Sequence, residues 1–494
     1  MIGLNTLPPA YTASRPVHDW LRPIAVYPHP GPLTPLLEET LDGLLGAFAA
    51  LGHTVQAAPD AETRAVLTTA RYDQVMNWRR SLMFTGRIQL KLDHSPTAYT
   101  LVHMTPAEFD AMHGHFAAAL ARQPLDHADF TFEGMSPEAP NVLIEQGLRG
   151  GPILSLLRLL QSRTKCIHIL LVVGEDKPQR IYHFDLVGAY PTSDAALGEA
   201  AFYADTALRI ATYESTREIT RHQVLEPPIP RVVWDGLTTP AAMARAGREL
   251  GERNFFTEMI RIADLVPVPA ITESIASQYS EGCFVTYEPA LEGLLATVTG
   301  SARPVDKGNI TERDLAVIVG VRPDGEGAQV RHVTDKQNDP PSSEAVEMMD
   351  MDSHLPRVAW GGAHVPVLRS KLHGHRGVRA FNPARVDYVP LDSPYFHFLV
   401  SCATEAQARG IKQAFARAES LLTPDDARPL CFTILPGHGV VIAEKWVQGK
   451  APFELIWGAM DSGDLVIDNL VPQGPLAYRP GDDGRMHLEF PLTQ

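Results

Sequence analysis

Apolar residues recur at strand and helix spacing through the first half of the chain. Ile24–Tyr27 predicts a strand, and after the turn PHPGPLTP a helix is predicted with Thr34 as its cap and Pro35 in its first turn. The apolar positions of this helix share one face: Leu37, Leu41, Leu44, Leu45 and Phe48. Further along, CIHILLVVG and RIYHFDLVG predict two adjacent strands. The pattern indicates α/β structure.

The pattern changes beyond Thr311, where short strand-like runs alternate with turns. The runs are RDLAVIVGV, RVAW, VPVLRSKL, YFHFLVSCA, LCFTIL, GVVIAEKW, FELIWGAM and HLEFPL. One helix interrupts them; it opens with a capping box from Thr404 to Gln407 and points Ile411 and Phe415 inward. We expect a sandwich or barrel here, with PDGEGAQ and DKQNDPPSSEAVEMMDMDS as exposed loops.

Composition limits the classes of protein that fit. A chain of 494 residues predicts two to three domains, and 45% hydrophobic with 20% charged residues is typical of a soluble globular protein. The net charge of −15 argues against nucleic acid or an anionic membrane as the main partner. The start lacks a secretory signal pattern, and no apolar run approaches the roughly 20 residues of a membrane helix, so we expect a cytoplasmic protein.

The cysteines predict neither disulfides nor a thiolate metal site. They are scattered along the chain without a C-x-x-C spacing: Cys166, Cys283, Cys402 and Cys431. Their apolar neighbours favour buried, reduced thiols.

Two carboxylates lie at a spacing that suits a metal site. Glu281 follows a turn, and Asp306 comes 25 residues later, after a predicted apolar helix around Leu291 to Ala296. Such a segment can leave one strand end and return at the next, which would place both carboxylates beside one metal ion. The alternative is that Asp306 begins a turn and Glu281 caps the helix.

Histidines and basic residues are densest between Ser353 and Arg379. If Val365 to His373 is a strand, alternate residues share a face: Arg369, Lys371, His373 and His375. Together with Arg376 they could bind a phosphate or a sugar acid, or they could neutralise an acidic surface. Farther on, His438 lies between two glycines in LPGHGVVI and is a reasonable neutral ligand for a divalent metal ion.

Together these features resemble the fucose and arabinose isomerase superfamily of metal-dependent aldose–ketose isomerases. The resemblance rests on the segment from Ser280 to Ile310 and on the order of α/β and β-rich sequence. The matching residues are Glu281 and Gly282, the apolar segment Leu291 to Ala296, then Thr299, Gly300, Arg303, Pro304, Val305 and Asp306.

The resemblance implies an architecture and a reaction. Two α/β, Rossmann-like domains at 1–165 and 166–305 would precede a β-rich, barrel-like domain at 306–494, in a homo-oligomer. Mn²⁺ or Mg²⁺ would be held by Glu281, Asp306 and His438. Glu281 and Asp306 would be the catalytic residues that move a proton between C1 and C2 of a sugar through an enediolate.

In that interpretation the substrate, a sugar or a sugar acid, is bound by four residues: Arg369, His373, His375 and Arg376. The alternative is a non-catalytic carbohydrate- or metabolite-binding protein on the same fold, suggested by Cys283 directly after Glu281-Gly282. A third hypothesis is a hydrolase or lyase that uses the histidine-rich segment, and it would gain from a metal bound by His364, His373 or His375.

Overall fold

The computed structural model describes most of the carboxy-terminal half of the chain and parts of the amino-terminal half. The described residues are 23–26, 33–57, 59–60, 63, 65–71, 97–111, 167–185, 188–194, 202–204, 206–207, 210, 221–256, 282–299, 305–391, 405–423, 425–435, 439–468 and 477–489. The predicted strand YFHFLVSCA lies outside these residues. The chain forms two compact units, Met1–Thr216 with Ile260–Ala276 and Arg217–Met259 with Ser277–Gln494.

The first unit contains a seven-stranded sheet. Its strands are ordered β2-β1-β3-β4-β5-β6-β7; the pairs from β2 to β5 are parallel, and β6 and β7 are antiparallel. The elements are β1 Ile24–Val26, α1 Pro35–Leu51, β2 Val55–Gln56, β3 Ala65–Arg71, β4 Thr97–Met104, β5 Ile167–Gly174, β6 Pro178–Asp185 and β7 Gly188–Asp194.

The helix α1 begins and ends as the sequence predicts. The Thr34 hydroxyl accepts a hydrogen bond from the Leu37 amide, and Gly52 ends the helix with φ of 97°. The apolar face of α1, including Leu44 and Phe48, is buried against the sheet strands in one core.

The second unit contains a nine-stranded sheet with the order β17-β18-β19-β15-β9-β10-β11-β12-β8. Its strands are β8 Gln223–Val224, β9 Cys283–Glu288, β10 Gly293–Thr297, β11 Leu315–Val321, β12 Ala328–Arg331, β15 Leu368–Gly374, β17 Val386–Tyr388, β18 Leu430–Leu435 and β19 Gly439–Lys445. Most neighbours are antiparallel; β8 with β12 and β17 with β18 are parallel.

Two smaller sheets, six α-helices and three 3₁₀ helices complete the described part of this unit. The sheets contain β13 Arg357–Trp360 with β14 Ala363–Pro366, and β16 Gly377–Phe381 with β20 Leu465–Asp468, β21 Ala477–Pro480 and β22 Met486–Glu489. The helices are α2 Arg231–Asp235, α3 Thr239–Glu252, α4 Ser343–Asp352, α5 Glu405–Phe415, α6 Glu419–Leu422 and α7 Glu454–Ser462. Ile411 and Phe415 on α5 are buried, which confirms that prediction.

The prediction of an apolar helix between Glu281 and Asp306 is wrong, because the segment contains the antiparallel hairpin β9–β10. Every residue of both strands is buried. Alternate side chains enter different cores, Phe284 and Leu295 one and Val285 the other. A strand covered on both faces has a continuous apolar sequence, which by itself does not distinguish it from a buried helix.

Two further predictions are corrected in the same unit. The run FELIWGAM is the helix α7 rather than a strand, with Ile456, Trp457 and Ala459 buried at helical spacing. The second predicted loop contains α4, whose residues from Ser343 to Met348 are all buried. In both segments burial against the sheet determines the secondary structure. A short apolar run in the sequence does not by itself show whether it forms a helix or a strand.

The general prediction of a mixed α/β fold is confirmed, since helices accompany sheets of both parallel and antiparallel strands. The finer arrangement of two α/β domains followed by a β-rich domain stays a prediction. Strands on both sides of the predicted boundary at 165/166 share the seven-stranded sheet, and strands on both sides of 305/306 share the nine-stranded sheet. No helix in the described ranges has the length and apolar character needed to span a membrane.

A buried glutamate makes the stability of the second unit depend on pH. Glu444 on β19 is fully buried, and its Oε1 accepts a hydrogen bond from the Phe453 amide next to α7. Burial raises the pKa of Glu444 from 4.5 to about 7. The folded protein therefore binds this proton more tightly than the unfolded chain does, so the stabilisation is present at low pH and is lost as the pH rises through about 7.

We expect the free energy of unfolding to fall by about 2 kcal/mol from this group between roughly pH 5.5 and 8.5. The variant E444Q should lack that part of the pH dependence. Urea unfolding of both proteins across this range measures it. Parallel curves for the two proteins would contradict the assignment to Glu444.

Candidate metal centre

Three buried side chains that could ligate a metal converge between α4 and the end of β15. Glu344, His373 and His375 each offer one donor atom, and these atoms all lie within 4.8 Å of one another. Among the described residues, no other group of three or more His, Cys, Asp or Glu side chains meets this condition. Glu344 and His373 are each 1% exposed, and His375 is 7% exposed.

The sheet positions the histidines. His373 lies on β15, which pairs with β9 on one side and β19 on the other, so that His373 is opposite Cys283 and Val441. His375 follows directly after β15, and its ring centroid lies 5.3 Å from that of His373. The alternation of the strand therefore brings both imidazoles to one place, as the sequence predicts.

Glycines allow the neighbouring strands to approach the end of β15 closely. A Cβ atom on Gly282, which has φ of 81°, would lie 2.3 Å from the His373 carbonyl oxygen. A Cβ atom on Gly439 would lie 2.0 Å from the Gly374 carbonyl oxygen and 3.0 Å from the His375 Cα. Any larger residue at these two positions would push β9 and β19 away from the histidines.

A hydrogen bond at Nδ1 of His373 determines the tautomer of the neutral imidazole ring. Its Nδ1 lies 3.1 Å from the Val440 carbonyl oxygen, and because a carbonyl only accepts, Nδ1 donates. In a neutral ring the lone pair is then on Nε2, which lies 3.1 Å from Glu344 Oε1. A lone pair and a carboxylate oxygen repel at this distance unless a proton or a metal ion lies between them.

The geometry fits a metal ion. An imidazole that binds a metal through one nitrogen usually donates its other N–H to a carbonyl or carboxylate, as His373 does to Val440. Two ligands at about 2.1 Å from an ion in tetrahedral geometry are about 3.4 Å apart, close to the observed 3.1 Å. The donor atom of the second imidazole, on His375, lies within 4.8 Å of those of His373 and Glu344. The group of Glu344, His373 and His375 could thus hold a metal ion.

A second polar contact joins the same two elements. Lys371, on the same face of β15 as His373, is fully buried and donates to Asp352 on α4 and to the Met348 carbonyl oxygen at 3.0 Å. Burial lowers the pKa of Lys371 and raises the pKa of Asp352, and the charge of each partner opposes the other's shift.

The other residues predicted for the site take different positions. Asp306 is exposed and caps a 3₁₀ turn at Lys307–Asn309, where its oxygens accept from the Gly308 amide at 2.9 Å and from Asn309 Nδ2 at 2.6 Å. This is the turn-and-cap role weighed as the alternative for Asp306. Glu281 and His438 lie outside the described residues, although each precedes one of the two glycines that touch β15. Their roles stay predictions.

Neither predicted arginine belongs to the three-residue group. The Arg369 guanidinium donates to the Lys450 carbonyl oxygen and lies over the Trp446 ring at 5.0 Å, and burial lowers its pKa. Arg376 Nη1 donates to the Asn254 carbonyl oxygen at 2.9 Å. Their predicted role in binding a substrate is not tested by these contacts.

Glu344 was not among the predicted site residues, because its segment was expected to be an exposed loop. One signal was available: after Pro340, Pro341 and Ser342, apolar residues recur at helical spacing in SEAVEMMDMD. Cys283 and Cys431 are both buried, as their apolar neighbours predict; Cys166 and Cys402 lie outside the described residues.

No protein-family model, curated protein or solved structure matches the chain. The resemblance to the fucose and arabinose isomerase superfamily therefore stays a prediction from the residues quoted above.

Proposed function

We propose that the chain is a metal-dependent enzyme that acts on a small hydroxycarbonyl compound, a sugar or a sugar acid, at Glu344, His373 and His375. The observation that carries the proposal is the arrangement of His373, with Nδ1 engaged by Val440 and Nε2 facing Glu344 at 3.1 Å. The second buried imidazole, His375, supports an ion rather than a proton between them.

The donor set favours a transition metal. Two imidazoles and one carboxylate suit Zn²⁺, Fe²⁺ or Mn²⁺ better than Mg²⁺, which prefers oxygen ligands and retains water. Mn²⁺ is thus the better of the two ions that the resemblance implies. Glu344, His373 and His375 would hold the ion and leave a coordination position for a substrate oxygen, and the ion would supply Lewis-acid polarisation of a carbonyl.

The side chains of the site have separate roles in this proposal. Val440 holds the His373 ring in one tautomer and orientation through its carbonyl oxygen. With both nitrogens of His373 engaged, the ring has no position left for a transferred proton. Glu344 is the carboxylate of the group and therefore the candidate for accepting or returning a proton beside the carbonyl.

Aldose–ketose isomerisation is the reaction that the sequence resemblance favours. A proton would leave the carbon that bears the hydroxyl, and it would return to the former carbonyl carbon of the enediolate. The sugar substrate and the homo-oligomer belong to the same hypothesis, in which the proton transfer predicted for Glu281 and Asp306 is assigned to Glu344. His438 is proposed as a further ligand, because Gly439, which follows it, touches the backbone at His375.

The position of the group in the histidine-rich segment favours a second candidate, a lyase. In carbon–carbon cleavage the β-hydroxyl loses its proton, the bond between the α and β carbons breaks, and the products are an aldehyde and an enediolate that takes up a proton. The same polarised carbonyl serves both reactions. Binding of a sugar without turnover is the non-catalytic alternative.

We expect the purified chain to contain about one divalent transition metal ion per subunit. Removal by a chelator should lower the thermal unfolding midpoint, and adding Zn²⁺ or Mn²⁺ back should restore it, because an ion that binds only the folded state stabilises that state. Metal analysis and thermal scans measure this. An unchanged midpoint together with metal-free protein would exclude the proposed site.

The reaction is tested by incubating the metal-loaded protein with a panel of aldoses, ketoses and sugar acids in deuterated water. Deuterium beside the carbonyl with an intact carbon chain indicates isomerisation, and a new, shorter aldehyde indicates cleavage. Stabilisation by a sugar without exchange indicates a binding protein and would contradict catalysis.

A further inference from the structure

The helix α4 meets β15 through one stripe of its surface. Glu344, Met348 and Asp352 recur every four residues and so lie along one side of the helix. Lys371 and His373 are two residues apart on β15 and so share one face of the sheet. His373 faces Glu344 near the start of α4, and Lys371 bonds Met348 and Asp352 farther along it.

The contact between Lys371 and Asp352 is a buried ion pair. The Lys371 side chain has no exposed area, and the Asp352 side chain is 7% exposed. Asp352 Oδ2 accepts from Lys371, while its other oxygen, Oδ1, is buried and has no hydrogen-bond partner among the described residues. The residues that precede Asp352 on α4 and begin β15, Met351 and Leu368, are buried in one apolar core.

Stability alone does not account for an ion pair at this place. Removing two charges from water is costly, and a well-packed apolar pair of similar volume is often as stable or more so. Apolar contacts, however, tolerate sliding, whereas hydrogen bonds to a carboxylate and a carbonyl oxygen define a distance and a direction. The ion pair therefore defines where α4 lies along β15.

A metal site requires that α4 keep a fixed position along β15. A shift of α4 by a single residue along its axis moves Glu344 by about 1.5 Å. Metal–ligand distances tolerate only about 0.2 Å. A small displacement of the helix would thus separate the Glu344 carboxylate from an ion held by the two histidines.

We propose that Lys371 and Asp352 are positioning residues of the metal site: they hold α4 so that the Glu344 carboxylate ligates the same ion as His373 and His375. This inference rests on the proposed function. It assigns to the pair a role in metal affinity beyond its contribution to the fold.

The chain offers a matched control on the same helix. Lys412 on α5 pairs with Asp350 at 2.9 Å, and these two side chains are 21% and 25% exposed. The pair has the same chemistry and also anchors α4, but to α5 rather than to the strand that carries the histidines. Its removal tests whether any lost ion pair on α4 has the same effect.

The experiment compares Zn²⁺ and Co²⁺ binding to the chelator-treated full chain, to K371M/D352L and to K412M/D350L. Both double variants keep the net charge unchanged, so a difference in affinity does not arise from net charge. We expect K371M/D352L to bind Zn²⁺ roughly tenfold or more weakly and K412M/D350L to stay within about threefold of the unaltered chain. The visible absorption of bound Co²⁺ should change only in K371M/D352L, because that spectrum reports ligand geometry.

Affinity and a Co²⁺ spectrum in K371M/D352L that match the unaltered chain would overturn the positioning role while leaving the metal site intact. Failure of the unaltered chain to bind either ion would overturn the proposed function and this inference with it. If circular dichroism shows that K371M/D352L does not fold, D352N replaces it and D350N becomes its control. The same affinity loss for both single variants would then count against the proposal.

Discussion

Replacing His373 by alanine will remove the bound metal ion, with the zinc or manganese content falling from about one equivalent to under a tenth. The side chain is one of three ligands, and its Nε2 lies 3.1 Å from the carboxylate that completes the group. Loss of an outer-sphere partner alone costs about 10- to 100-fold in metal affinity, so loss of a ligand should cost more than roughly 100-fold. Elemental analysis and competition titration of the purified variant measure the effect.

The control is His364→Ala, which changes an exposed histidine on β14 in the same histidine-rich segment. It should keep its metal. E344Q is a second test that preserves side-chain volume, and it should lose affinity in the same way because an amide oxygen binds a cation more weakly than a carboxylate does. Normal metal content in both H373A and E344Q would show that the group is a buried ion pair.

Replacing Lys371 alone by methionine will destabilise the second unit by about 3–5 kcal/mol, since Asp352 is then left buried without its cation. Asp352 Oδ1 already has no hydrogen-bond partner among the described residues, which leaves the charge of Arg357 to oppose the desolvation of the carboxylate. Urea unfolding of the metal-free protein measures this change without a contribution from bound ions.

The double variant K371M/D352L should recover most of the lost stability, because removing both charges also removes the desolvation cost. A strong coupling between the two single substitutions is the expected signature of a direct pair. A loss under about 1 kcal/mol in K371M would indicate that water or a neighbouring group already solvates Asp352. K371M/D352L is thus expected to recover stability and yet to bind metal more weakly. This combination separates the contribution of the pair to stability from its role in positioning Glu344.

The local sequence pattern predicted correctly that His373 and His375 come together. Lys371, His373 and His375 alternate in sequence, and the strand periodicity that places them on one face is a property of any extended chain. Likewise, the capping residues of α1 and the buried face of α5 follow from contacts within a few residues. These features depend on residues that are close together in the chain, so the local sequence is enough to predict them.

The carboxylate that completes the group could not be obtained in the same way. Glu281 and Asp306 seemed a pair because a helix was predicted between them, but the segment is the hairpin β9–β10 and Asp306 caps a turn. Glu344 lies in the helix α4, whose segment was interpreted as an exposed loop. Its partner His373 is 29 positions away, and no local rule relates the two.

The amino-acid sequence by itself determined a mixed α/β chain and a row of basic and imidazole side chains on one strand, since both depend on periodicities of two and 3.6 residues. Only the tertiary structure decided which carboxylate meets that row. Packing α4 against β15, with glycines at Gly282 and Gly439 allowing the strands to approach, brings Glu344 to His373. Burial then requires a proton or a metal ion between the two groups, because a carboxylate and an imidazole lone pair have no bulk water to separate them.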